Sequence, residues 1–106
     1  MVERGEIWLA ALDPTVGSEI KKTRPCVIVS PAEIHDHVRT VIVAPMTTGS
    51  QPAPFRVTVS FQKKKGLIVL DQMRSIDKSR LVSKLGAVTD KTLAETLNTL
   101  QEVFAE

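Results

Sequence analysis

The 106-residue chain has no tyrosine, one tryptophan and three phenylalanines, so aromatic residues make up only 4% of it. That scarcity argues against a ring-lined groove of the kind a plain SH3-like adaptor uses to hold proline-rich peptides. A single cysteine, Cys26, excludes an internal disulfide. It sits in the apolar run Cys26-Val27-Ile28-Val29 and reads as a buried, reduced thiol, because a nucleophilic cysteine needs a neighbouring base and an electropositive, partly exposed setting. No apolar run approaches the ~18 residues of a membrane-spanning helix. Charge of one sign is not in excess either: 14 Lys and Arg against 12 Asp and Glu give +2. That is too little to attract nucleic acid in bulk, so any such affinity has to come from a local patch. The only two histidines lie in Ile34-His35-Asp36-His37, where an acid between them invites a metal. No third or fourth ligand stands near them, and the segment reads as a solvated connector. The start, Met1-Val2-Glu3-Arg4-Gly5, lacks the basic and apolar stretches of a signal peptide, which leads us to expect a cytoplasmic protein. There is no internal repeat and no low-complexity segment.

What is present fits one ordered domain. The 42% hydrophobic and 25% charged residues are close to globular averages, and a chain of this length has room for a single core, so residues 1–106 are read as one domain. Residues 6–12 are apolar enough for a strand, which Pro14 stops because it has no N–H for a ladder. Residues 13–24 follow neither structural periodicity, and a loop of this length without its own structure is functional or mobile. The β-branched runs 25–30 and 40–45 are almost continuously apolar and read as central strands buried on both faces. Between them, residues 31–39 hold a turn of helix at most. After a turn-rich loop over 47–54, residues 55–59 alternate as a half-exposed strand. Lys63-Lys64-Lys65-Gly66 then reads as a charged turn into a strand over 67–70. Trp8 and Phe55, placed within strands, are expected in the core or an interface. Finally Thr89 is a good N-cap for a helix with Leu93, Leu97, Leu100 and Phe104 at helical spacing. Short strands with one terminal helix predict a mainly β, α+β domain: a small curled barrel with a helix packed on it.

Several ordered blocks resemble the MazF/PemK/Kid toxins. They are Arg4-Gly5-Glu6-Ile7-Trp8-Leu9, Leu12-Asp13-Pro14-Thr15-Val16-Gly17-Ser18-Glu19, Lys22-Thr23-Arg24-Pro25 with its apolar strand, Val43-Ala44-Pro45-Met46-Thr47-Thr48, and Leu70-Asp71-Gln72-Met73-Arg74-Ser75-Ile76-Asp77. Lys84-Leu85-Gly86 before the last helix fits as well, so the resemblance spans nearly the whole chain. It implies an SH3-like β-barrel with a C-terminal α-helix, acting as a homodimer. It further implies a toxin endoribonuclease, or mRNA interferase, that cuts single-stranded RNA at short motifs without a metal or other cofactor and is inhibited by a cognate antitoxin. In that family the arginine matching Arg24 and the first threonine of the block matching Thr47 are the usual catalytic pair. The glutamate matching Glu19 is implicated in some members as an acid/base or RNA-contacting group. Some Kid-like members carry an arginine two positions before the aspartate of the Asp-Gln block. Here that position is Val69, which leaves Asp71 as a structural acceptor or dimer residue.

The chemistry of the side chains agrees with these roles. RNA carries its own nucleophile, since the 2′-hydroxyl can attack the adjacent phosphorus and leave a 2′,3′-cyclic phosphate and a 5′-hydroxyl. A protein then supplies a base, an acid and fixed donors for the charge that grows on the phosphoryl oxygens. Arg24 offers a permanently charged fork and Thr47 a short rotatable hydroxyl, while Glu19 is a candidate base. Lys21, Lys22, Thr48, Gln51 and Arg56 are candidate RNA contacts, and Lys63–Lys65 is either a solvated turn or an extension of that surface. Each role has a plainer competitor: Arg24 opening a strand can be a surface ion-pair partner of Asp13 or Glu19, and Thr47 an ordinary turn residue. A different class with the same architecture is the non-enzymatic, gyrase-directed CcdB toxin, which has no need of the Arg24/Thr47 pair. For control, the expected antitoxin has an acidic, disordered tail that orders across the basic loops near Lys21, Lys22 and Arg24.

Overall fold

Strand β3 (Thr40–Thr47) organises the molecule because it has partners on both edges, and on one edge it has two. The computed structural model describes residues 2–106. Its other strands are β1 (Glu6–Ala11), β2 (Thr23–Ile28), β4 (Arg56–Phe61), β5 (Lys64–Val69), β6 (Arg74–Asp77) and β7 (Leu81–Ala87). They form one antiparallel sheet in the order β4-β5-β3-β2-β1-β7, with β6 also paired to β3. The first half of β3 runs beside β6, ending with Val43 opposite Arg74, and the second half beside β5, from Met46 opposite Ile68. Pro45 falls in the gap between these two partners, where its missing N–H costs least. The sheet therefore curls at that point, and the expected curled, mainly β fold with a C-terminal helix is the one observed.

Alternation along β2 and β3 builds two cores from the same strands. Val27, Ala44 and Met46 join Ile7, Ile68 and Leu70 in one cluster, whereas Cys26, Ile28, Val41 and Val43 join Leu12 and Ile76 in the other. Both faces of these central strands are thus buried, as their continuous apolarity implied. The first cluster is capped by the helix α2 (Asp90–Phe104) through Leu100, and the helix packs against β4. Thr89 caps it by accepting from Thr92 N–H at 3.1 Å. The periodic stripe stops short of its end, however, since Phe104 is 69% exposed. Among the described residues, no helix is long and apolar enough to cross a membrane.

The structure corrects four local expectations. His35 is not in a solvated connector: it ends a short helix α1 (Ala32–His35) and is fully buried. Its Nε2 lies 2.7 Å from Val2 O, which can only accept, so Nε2 carries the proton and Nδ1 accepts from Ser30 Oγ at 2.8 Å. Ser30 Oγ in turn accepts from Ile42 N–H at 3.1 Å. Second, the charged turn is shorter than expected. Lys64 and Lys65 already belong to β5, and the hairpin closes on Gln62 and Lys63, both in the left-handed region at φ 51° and 64°. Two positive-φ residues match the twist of a two-residue hairpin, normally signalled by Asn-Gly or Asp-Gly. Third, Phe55 precedes its strand and is exposed, with the Arg56 guanidinium 5.6 Å from its ring centre. Fourth, the sheet extends beyond the expected strands to β6 and β7, which carry no continuous apolar run. On β7, Lys84 reaches Glu6 of β1 at 2.7 Å. Burial alone would raise the Glu6 carboxyl, but the bonds from Lys84, Trp8 and Glu3 hold it below the usual carboxylate range.

Candidate active site

The register of β2 and β3 sets Cys26 opposite Pro45, and continuing it two residues toward the open end brings Arg24 opposite Thr47. Both side chains line one hollow of about 210 Å³ at this end of the sheet, together with Thr48. Local backbone geometry prepares the arginine. Lys22 takes a left-handed conformation, φ 68°, and the Lys21 carbonyl accepts from Arg24 Nε at 3.2 Å. That bond orients the guanidinium and leaves its two terminal nitrogens to a ligand. Among the described residues Arg24 has no ion-pair partner, so the surface-pair alternative with Asp13 or Glu19 is not the arrangement seen. Thr47 Oγ accepts from Gly49 N–H at 3.2 Å, which fixes the hydroxyl while its own proton stays available. Gly66 lets β5 lie close against Thr47, since a Cβ there would stand 2.8 Å from the Thr47 carbonyl oxygen.

Glu19 is not brought to that pair. It lines a neighbouring hollow of about 190 Å³ with Pro45, Gln72 and Arg74, and its Oε1 accepts from Val16 N–H at 2.5 Å. In this structure it caps a turn of the loop. Arg56, a candidate RNA contact, is also engaged: Nε and Nη2 each lie 3.0 Å from the two Asp71 oxygens, and Nη1 donates to Gln51 O at 2.9 Å. The fork holds the Asp71 carboxyl below the usual carboxylate range, and Asp71 is the structural acceptor that its sequence position suggested. Gln51 contributes its backbone to this lock. Lys21, Lys22, Thr48 and Gln51 are exposed, and of these Thr48 lines the hollow with Arg24 and Thr47. Cys26 is fully buried, and burial pushes its thiol up to about 12, so it is chemically inert beside Arg24. His35 has both ring nitrogens engaged and offers no ligand face with His37.

The residues missed in the sequence are those that hold the loop between β1 and β2. Leu12 N–H donates to Lys22 O at 3.0 Å and closes its base. Gln72 Oε1 accepts from Ile20 N–H at 2.6 Å, Arg74 Nη1 donates to Leu12 O at 3.0 Å, and Arg80 Nη1 donates to Ala11 O at 3.3 Å and to Asp13 O. A loop that looked free is therefore pinned by side chains more than fifty positions away. Such long-range side-chain bonds to backbone leave no local signature, although Gln72 and Arg74 do fall within one of the blocks noted above.

An arginine fork and a threonine hydroxyl that line one hollow of a curled β-sheet can together hold an anion and donate to it. Comparison with known proteins gives the family. Residues 3–104 match the family described as PemK-like, MazF-like toxin of type II toxin–antitoxin system. The endoribonuclease PemK of Escherichia coli is 38% identical, across 97% of this chain and 82% of its own length. The endoribonuclease MazF of Staphylococcus epidermidis is 37% identical, across 94% and 88%. Among solved structures, MazF from Deinococcus radiodurans superposes with a TM-score of 0.83 at 26% identity, over 96% of this chain and 94% of that one. A MazE–MazF structure from the same organism gives 0.72 at 26% identity, with the same coverage. The chain belongs to the PemK-like, MazF-like toxin family of type II toxin–antitoxin systems.

Proposed function

We propose that this chain is an endoribonuclease toxin that cleaves single-stranded RNA by attack of the substrate's own 2′-hydroxyl, without a metal. The observation that carries the reading is the Arg24–Thr47 pair in one hollow, in a chain whose relatives are endoribonucleases. The 2′-oxygen forms a bond to phosphorus as the bond to the 5′-oxygen breaks. The 2′-proton passes to a base and the leaving oxygen takes a proton, giving 2′,3′-cyclic phosphate and 5′-hydroxyl ends. Arg24 holds the two non-bridging oxygens as charge grows on them, and Thr47 donates a further hydrogen bond. A role for Glu19 as the base requires it to release Val16 N–H and swing in from the adjoining hollow. The same relatives favour this enzyme over the gyrase-binding alternative. The test is single-turnover cleavage of a defined single-stranded RNA by Arg24→Ala and Thr47→Ala. Each preorganised donor is worth about 10²–10³ in rate, and a folded Arg24→Ala protein with near-normal rate would show that the site is elsewhere.

The toxin works in the cytoplasm as a homodimer, and its inhibitor is a separate antitoxin, a reading supported by the family and by the MazE–MazF structure of its structural relative. An acidic, disordered antitoxin tail would order across Lys21, Lys22 and Arg24 and occupy the RNA path. Charge reversal at Lys21 and Lys22 is then expected to weaken both RNA and antitoxin binding, most at low salt. Loss of RNA binding with antitoxin affinity intact would move the inhibitor to another surface.

A further inference from the structure

The hollow that holds Arg24 and Thr47 is larger than those two residues need, and the rest of its lining is of another kind. Pro25, Met46, Val59 and Phe61 supply apolar surface, and the far rim is the β4–β5 hairpin with Gln62 and Lys64. We propose that this part of the hollow is a nucleobase subsite: Phe61 and its apolar neighbours receive the face of the base next to the cut, Gln62 reads its edge, and Lys64 takes the flanking phosphate. The assignment rests on the ribonuclease reading above and adds where the RNA's sequence is recognised.

Three observations support it. A phosphate would gain nothing from an apolar floor, whereas the flat face of a base is stabilised by one, and by an aromatic ring above all. At about 210 Å³ the hollow is below the roughly 300–1,000 Å³ of pockets that enclose drug-sized ligands, a size that suits one base rather than a larger group. Finally, the hairpin turn is built in a costly way. Gln62 and Lys63 are both left-handed, a conformation that Asn-Gly would adopt without strain. The strained turn puts on the rim a side chain whose amide both donates and accepts, the chemistry that distinguishes one base edge from another. Phe61 and Lys64 face each other as the last pair of the ladder, so stacking surface and phosphate charge are fixed on one rigid hairpin.

The experiment uses a randomised single-stranded RNA, cut by the full-length protein and sequenced at both new ends. Gln62→Gly removes the amide while the glycine accepts the positive φ, so the hairpin is expected to fold. The wild type is expected to show a base preference on at least one side of the cut. In Gln62→Gly that preference should fall roughly ten- to a hundredfold at a single position, with preferences elsewhere retained. Lys64→Gln should raise KM and lower the slope of log KM against log salt by about 0.7, the loss of one phosphate contact. Unchanged preferences in Gln62→Gly, or an equal loss at every position, would overturn the subsite while leaving the ribonuclease standing. A wild-type protein that cuts no RNA in the library would overturn both.

Discussion

Replacing Gly66 with alanine is a sharp perturbation of this site because it adds one methyl group and no charge. The new Cβ would lie 2.8 Å from the Thr47 carbonyl oxygen and 3.4 Å from its carbonyl carbon, both backbone atoms that no side-chain rotation can move. Restoring an ordinary contact of 3.4 Å requires β5 and β3 to part by about 0.6 Å where Leu67 pairs with Thr47. Overpacking of this kind costs roughly 1–3 kcal/mol. A displacement near 1 Å at a reacting group can cost about 10²-fold in rate, so a shift of about half that size is expected to slow cleavage roughly tenfold. Urea unfolding would measure the first effect and single-turnover cleavage of a defined RNA the second. Normal stability together with a normal rate in Gly66→Ala would refute the idea that the close approach of β5 sets the position of Thr47.

His35→Ala is expected to destabilise the fold by about 2–4 kcal/mol in urea, through a buried cavity and the stranded Ser30 hydroxyl and Val2 carbonyl; a silent substitution would show that the buried network does not form. The Asp71 carboxyl is held below its ordinary 3.8 by Arg56, so the pair's contribution to stability is complete above that value and is lost as the pH falls through the lower folded-state value. Asp71→Asn should therefore narrow the stability gap to wild type on acidification below pH ~4, and a gap that stays constant into acid would mean the fork does not form in solution.

Much of the fold was readable because burial on both faces leaves continuous apolar runs, as in residues 25–30 and 40–45, and because Thr89 and the leucine spacing mark a helix. The strands β6 and β7 escaped since their exposed residues make no such run. His35 was misread because its neighbours Ile34, Asp36 and His37 are all exposed, so only the third dimension shows what encloses it. Arg24 and Thr47 stand at the ends of adjacent central strands, a placement legible in the apolar runs, and both line one hollow. The anchors Gln72, Arg74 and Arg80 were hidden because their partners are backbone atoms of a distant loop, a kind of contact that no side-chain pattern encodes.

Attack by the 2′-hydroxyl leaves its mark on the products, which report the chemistry directly. Purified protein incubated with a defined single-stranded RNA in excess EDTA is expected to cut it and leave a 2′,3′-cyclic phosphate on one fragment and a 5′-hydroxyl on the other, as read by mass spectrometry. Cleavage that EDTA abolishes and a divalent metal restores, or fragments bearing 5′-phosphate ends, would contradict the account.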